Sequence, residues 1–158
     1  MSFDLFLYCF KAGDTAPADR AAVKRVIDEQ GVVTPDQYGQ YHVPLPNGEV
    51  ITLAAQDLDS PEEFDGCAFH LHGFSVEYCH FILKLAKAGD MVIFNAQGKD
   101  EPSNPVLILS DHKQELEVPN NMYKHAVLAR DGLHLYTLLD GSYEGWERYR
   151  EQILRQSG

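Results

Sequence analysis

Positive charge is scarce in this sequence: 13 Lys and Arg stand against 24 Asp and Glu, a formal net charge of −11. Duplex DNA and RNA repel such a surface unless basic residues cluster locally, and the longest cluster is the pair Lys24-Arg25. No nucleic acid is therefore expected as a ligand. Long apolar runs are missing too. No stretch of about 18 apolar residues occurs, which excludes a spanning helix and any membrane role built on one. The apolar opening MSFDLFLYCF lacks a basic leader, carries Asp4 and has no small-residue cleavage site. It reads as a strand rather than a signal segment, and the chain as cytoplasmic. Cysteine is limited to Cys9, Cys67 and Cys79. An odd number without a secretion signal argues against a disulfide framework, and each reads as a small buried hydrophobe. G-x-S-x-G, H-E-x-x-H, P-loop and G-x-G-x-x-G patterns are all absent, so no hydrolase elbow, zinc-protease helix or nucleotide loop is indicated.

What is there suits one domain. The 158 residues, 44% of them apolar, can bury a core without metal or disulfide staples. Ser2 to Phe10 reads as a strand with apolar residues on both faces, hence central in a sheet. A helix follows from about Ala16 to Gln30, with Ala22, Val23, Val26 and Ile27 in its inner stripe. Gln40–Leu45 and Glu49–Ala55 form a hairpin around Asn47-Gly48. Cys67–His72 is a strand, and Ser75 caps a helix from Val76 to about Ala88, closed by Gly89. Asp90–Ala96 and Val106–Leu109 are strands, with one helical turn after Asp111 stopped by Pro119. Lys124–Ala129 and Leu133–Leu139 read as a second hairpin around Arg130-Asp131-Gly132, and Ser142 opens a terminal helix. The expected class is α+β: a single domain over 1–158, about three helices on a largely antiparallel sheet. The first 96 residues run β-α-β-β-α-β with one extra strand, the order of a ferredoxin-like core.

Four groups of residues carry candidate chemistry. His70 and His72 alternate onto one strand face and can share a divalent metal, which needs a third ligand. Cys79 faces the core, and His80 falls beside Lys84 and Lys87 on the outer side of its helix. The loop QDLDSPEEFDG holds Asp57, Asp59, Glu62, Glu63 and Asp65. Its acids alternate, but Pro61 takes a ligand position and the sharp-turn glycine is missing, so it is no calcium loop. It reads as an acidic contact surface. Ser110-Asp111-His112 holds the residue types of a catalytic triad, but adjacent residues cannot adopt that geometry. Among the aromatics, the helical spacing of Trp146 favours burial, whereas Tyr38 and Tyr41 read as an exposed pair able to anchor a partner.

MSFDLFLYCF, AFHLHGFSVEYCHF and AGDMVIFNAQGKDEPSNPVLILS together resemble small uncharacterised bacterial proteins that open with a Met-Ser-Phe-Asp-Leu-Phe strand. Acidic proteins of this sort look like immunity proteins, which bind and block a cognate toxin. The resemblance implies a binding role and carries over no functional residue. The leading expectation is thus a non-catalytic acidic binding protein for a basic protein partner, using Asp57, Asp59, Glu62, Glu63, Asp65, Tyr38 and Tyr41, with no cofactor. A metal-dependent enzyme built on His70 and His72 is the alternative. A structural homodimer without a ligand is the third reading.

Overall fold

The computed structural model describes residues 2–31, 33–120 and 123–157. β1 (Phe3–Tyr8) lies at the middle of a seven-stranded sheet ordered β4-β5-β6-β1-β7-β8-β9. Its neighbours are β6 (Gly66–Leu71) and β7 (Val92–Asn95), both antiparallel, in the registers Leu5↔Phe69 and Leu5↔Asn95. β4 (Gln40–Pro44) and β5 (Val50–Ala54) complete one side, β8 (Leu107–Leu109) and β9 (Ala126–Leu128) the other. Among the described residues only the β8–β9 pairing is parallel. A two-stranded ribbon, β2 (Phe10–Lys11) with β3 (Asp14–Thr15), turns through Ala12 and Gly13 at φ 51° and 85°. Two positive φ values match the twist of a tight hairpin. The chain is α+β, with a mostly antiparallel mixed sheet.

The three helices are α1 (Arg20–Asp28), α2 (Val76–Gly89) and α3 (Gly132–Ser157). They pack on one face of the sheet, with α2 between α1 and α3. Ser75 caps α2 by accepting the Tyr78 N–H. The helix ends as expected, but Asp90, at φ 55°, takes the left-handed position instead of Gly89. Gly89 serves packing: a Cβ there would lie 2.9 Å from Val23 Cγ2 of α1 and 2.6 Å from Met91 Cε. The first helix starts later than the sequence suggests. Ala16 N–H donates to the Cys9 carbonyl and Ala18 N–H to the Phe64 carbonyl, so residues 16–18 are tied to neighbouring chain. Asp19 then caps α1 through the Ala22 N–H.

The expected second hairpin fails. Residues 133–139 are not a strand, because α3 begins at Gly132. Asp131, read as a turn residue, caps the helix by accepting the His134 N–H at 2.8 Å. Leu135, Leu138, Leu139, Ser142 and Trp146 form its buried stripe, while Leu133 is exposed. The order expected of a ferredoxin-like core is present with one strand added. β1, α1, β5, β6, α2 and β7 follow one another along the chain, and their strands lie in the sheet as β7-β1-β6-β5, each antiparallel to its neighbour. β5 therefore runs parallel to β1 with β6 between them, and β6 parallel to β7 with β1 between them, two split βαβ units, while β4 is added outside β5.

Candidate functional site

Strand alternation divides β1 into two sets of side chains. Phe3, Leu5 and Leu7 are fully buried against the helices. Asp4, Phe6 and Tyr8 are half-buried on the opposite face, which no helix covers among the described residues. Across this open face Asp4 is paired with His70, Phe6 with Ala68 and Phe94, and Tyr8 with Gly66 and Val92.

One end of the face is polar. His70 Nδ1 is 2.8 Å from Asp4 Oδ1, and the Ser2 hydroxyl donates to that same oxygen. Ser2 and His70 therefore share an acceptor and do not pair with each other, so no nucleophile–base couple is built here. At the β4 edge, His42 Nε2 meets Asp36 Oδ2 at 3.1 Å and its Nδ1 meets the Thr52 hydroxyl at 3.3 Å. The Asp36 carboxyl is held below its ordinary value, first by the Gln40 backbone N–H and then by His42.

The other end is aromatic. The Tyr8, Phe10 and Phe94 rings meet edge to face with centroids 6.0–6.5 Å apart, and Tyr123 adds a tilted contact to Phe94 at 6.1 Å. With Phe6 and Val106 they line a hollow of about 530 Å³. Gly66 makes room for this arrangement, since a Cβ there would lie 2.5 Å from Tyr8 Cδ1. Val92, Leu107, Leu109 and Phe10 form a small second core at the adjoining corner, with Val118 packed on it. Strand alternation alone puts Phe6, Tyr8 and Phe10 on one face of the opening strand. That Phe94 and Tyr123 join them depends on strand order, which periodicity does not encode.

The predicted loop acids separate into two groups. Asp59 is tied to the fold at its surface, with its side chain 40% exposed: Lys24 Nζ lies 2.6 Å from it and the Tyr41 hydroxyl donates to it. These two groups, Lys24 foremost, hold the Asp59 carboxyl below its ordinary value. The Arg20 guanidinium donates to the carbonyls of Ser60 and Glu62 and fastens the loop to α1. Asp57, Glu62 and Glu63 remain exposed, with carboxylates outside any ion pair among the described residues. Asp65 is half-buried where the loop enters β6, and its carbonyl accepts the Cys9 N–H at 3.0 Å.

Tyr38 is 75% exposed, as expected. Tyr41 is not: it is 3% exposed, with burial foremost and Asp59 beside it pushing its hydroxyl pKa up. The Asp59 carboxylate at the rim gives the hydroxyl of this buried ring an acceptor.

The histidine stretch is also dispersed. β6 ends at Leu71, leaving His72 in an exposed bend beyond it. His80 is exposed on α2, and Gly132 packs against its ring. Among the described residues no group of three His, Cys, Asp or Glu side chains could hold a metal ion. All three cysteines are buried and free, and burial pushes the Cys67 thiol up to about 12. Among the described residues no helix is long and apolar enough to cross a membrane. No protein-family model matches the chain, and no curated protein or solved structure is significantly similar to it.

Proposed function

We propose that this chain is a non-catalytic binding protein that docks a basic protein partner on the open face of its sheet. The observation that carries the reading is the aromatic hollow of Phe6, Tyr8, Phe10, Phe94 and Tyr123 on the face away from the helices. Antiparallel sheets with one solvated face normally place polar residues there, and contiguous apolar surface marks an interaction site. Its surroundings favour a cationic partner. Asp4 lies two residues from Phe6 on the same strand face, and Asp14 precedes Thr15 at the rim of the hollow. The acidic loop enters the sheet at Gly66, opposite Tyr8. An apolar centre with a charged rim is the usual anatomy of a specific interface. A net charge of −11 steers a basic protein towards it. Asp57, Glu62 and Glu63 act in this steering and the exposed Tyr38 adds an anchor, whereas Asp59 and Tyr41 are engaged with each other. An immunity-like inhibitor of a toxin is the most concrete form of such a protein.

A photo-crosslinking amino acid at Phe94, at Glu63 or at Glu77 on the outside of α2 tests this in the living host. Phe94 and Glu63 should trap one basic protein that Glu77 does not. With that partner purified, Phe94→Asp should weaken binding at least about 30-fold, the effect of losing a hot spot. Trapping from Glu77 as readily as from Phe94, or a partner of acidic charge, overturns the reading.

A further inference from the structure

A second cavity lies on the helix side, between the loop 97–104 and α3. Its volume is about 730 Å³, within the range of small-molecule sites. We propose that it binds a small, neutral, polyhydroxylated molecule of monosaccharide size.

The cleft is built on a buried polar network. Asn95, at 0% exposure, donates from Nδ2 to the Ser142 hydroxyl at 3.0 Å and accepts the Gln97 N–H at 3.2 Å. The Ser142 hydroxyl, itself 5% exposed, donates to Asn104 Oδ1. These bonds fix the Gln97 backbone and the Asn104 side chain at the cavity wall. The Gln97 side chain hydrogen-bonds to no described group, and its Oε1 is a buried acceptor left empty. Asn104 Nδ2 donates to no described group. The cleft wall therefore holds both acceptor and donor ends of unsatisfied amides. A hydroxyl can satisfy either, because it donates one hydrogen bond and accepts others.

The loop is fixed before any ligand arrives. A Cβ on Gly98 would lie 2.4 Å from the Pro105 carbonyl oxygen. The Asp100 carboxylate accepts the N–H groups of Lys124 and His125 at 2.9 and 3.0 Å. On the opposite wall, Gly141 and Gly145 stand one helical turn apart. A Cβ on either would meet nothing within 4 Å, so packing does not require glycine at these positions. Glycine weakens a helix interior, and here its effect is to keep the cavity floor open. Tyr149, 58% exposed, adds ring surface to the same wall, suited to the C–H face of a sugar ring, and the buried Trp146 lines it behind. The Arg150 guanidinium sits 5.0 Å from the centre of the Trp146 ring. Charge argues against an anion. Lys99 is offset by Glu101 on the same loop, and Arg148 lies 3.7 Å from Glu144.

Trp146 is the single tryptophan of the chain, so fluorescence reports on this cleft directly. The test titrates the full protein with glucose, galactose, N-acetylglucosamine, ribose and inositol to about 50 mM, beyond the millimolar range of weak ligands. Fluorescence and amide chemical shifts are followed together. At least one compound should give a saturable change confined to residues 97–104 and 141–149. Gly145→Leu fills the cleft and should weaken binding at least tenfold while leaving the circular dichroism spectrum unchanged. Gln97→Leu removes the orphan acceptor and should weaken binding without abolishing it. No saturable response from any of the five compounds overturns the proposal. So does binding that both variants leave intact.

Discussion

The two faces of the seven-stranded sheet are made from the same strands, yet they differ in what holds them. On the helix side, Phe3, Leu5, Leu7, Phe69 and Ile93 are all 0% exposed and belong to one continuous core. On the open side, Tyr8 and Phe94 pack on each other edge to face, and with Phe6 they stay half-buried. Strand propensity cannot separate the two sets, because aromatic and branched residues suit either face. The helices separate them. One face is needed to fold; the other presents apolar surface whose burial folding leaves incomplete.

The largest test of that contrast is Leu5→Ala, a cavity at the centre of the sheet. It should cost about 3–5 kcal/mol in urea unfolding. Phe94→Ala, one strand away on the open face, should cost roughly 1 kcal/mol because less area leaves water there. Equal losses would erase the distinction between the faces. Asn95→Ala comes next in size, at about 2–3 kcal/mol, since it leaves the Gln97 N–H and the Ser142 hydroxyl short of their buried partner. Asp131→Ala should lower stability by about 1 kcal/mol through the lost cap of α3, and Asp131→Asn should restore most of it.

The smallest effect concerns pH. The Asp59 carboxyl titrates below its ordinary 3.8 in the folded protein, so its contribution is present above that value and fades as pH falls below it. Asp59→Asn should flatten the acid limb of the stability profile there, leaving neutral stability changed by less than about 1 kcal/mol, as for exposed pairs. An unchanged acid limb would show that Lys24 and Tyr41 do not stabilise the ionised form.

Legibility followed the range of the interactions involved. Local chemistry was readable: the Ser75 cap, the Asn47-Gly48 hairpin and the central position of β1 all rest on near-neighbour signals. The segment 133–139 misled because Leu133, Leu135 and Thr137 alternate over the few residues where a strand and a helix look alike. Leu138, Leu139, Ser142 and Trp146 resolve it only when the window extends further. Tyr41 misled for a different reason. Its ring is buried while Asp59, 18 positions away, accepts its hydroxyl, and no local pattern announces that partner. The open-face hollow gathers Phe6, Phe94 and Tyr123 through the strand order β1-β7-β8-β9. The cleft against α3 likewise depends on Asn95 meeting Ser142 across 47 positions.

The central place of β1 also has a consequence during synthesis. Leu5 pairs with Phe69 on one side and Asn95 on the other. A ribosome delivers β1 first, and its second neighbour only after some 90 further residues. At about 5–20 residues per second that delay is on the order of 5–20 s. Until β6 arrives, 64 residues after Leu5, both edges of this apolar strand lack a partner, and the edge that takes β7 stays bare for the whole interval. The segment that becomes the middle of the sheet is, while the chain is nascent, the segment a holding chaperone would grasp first.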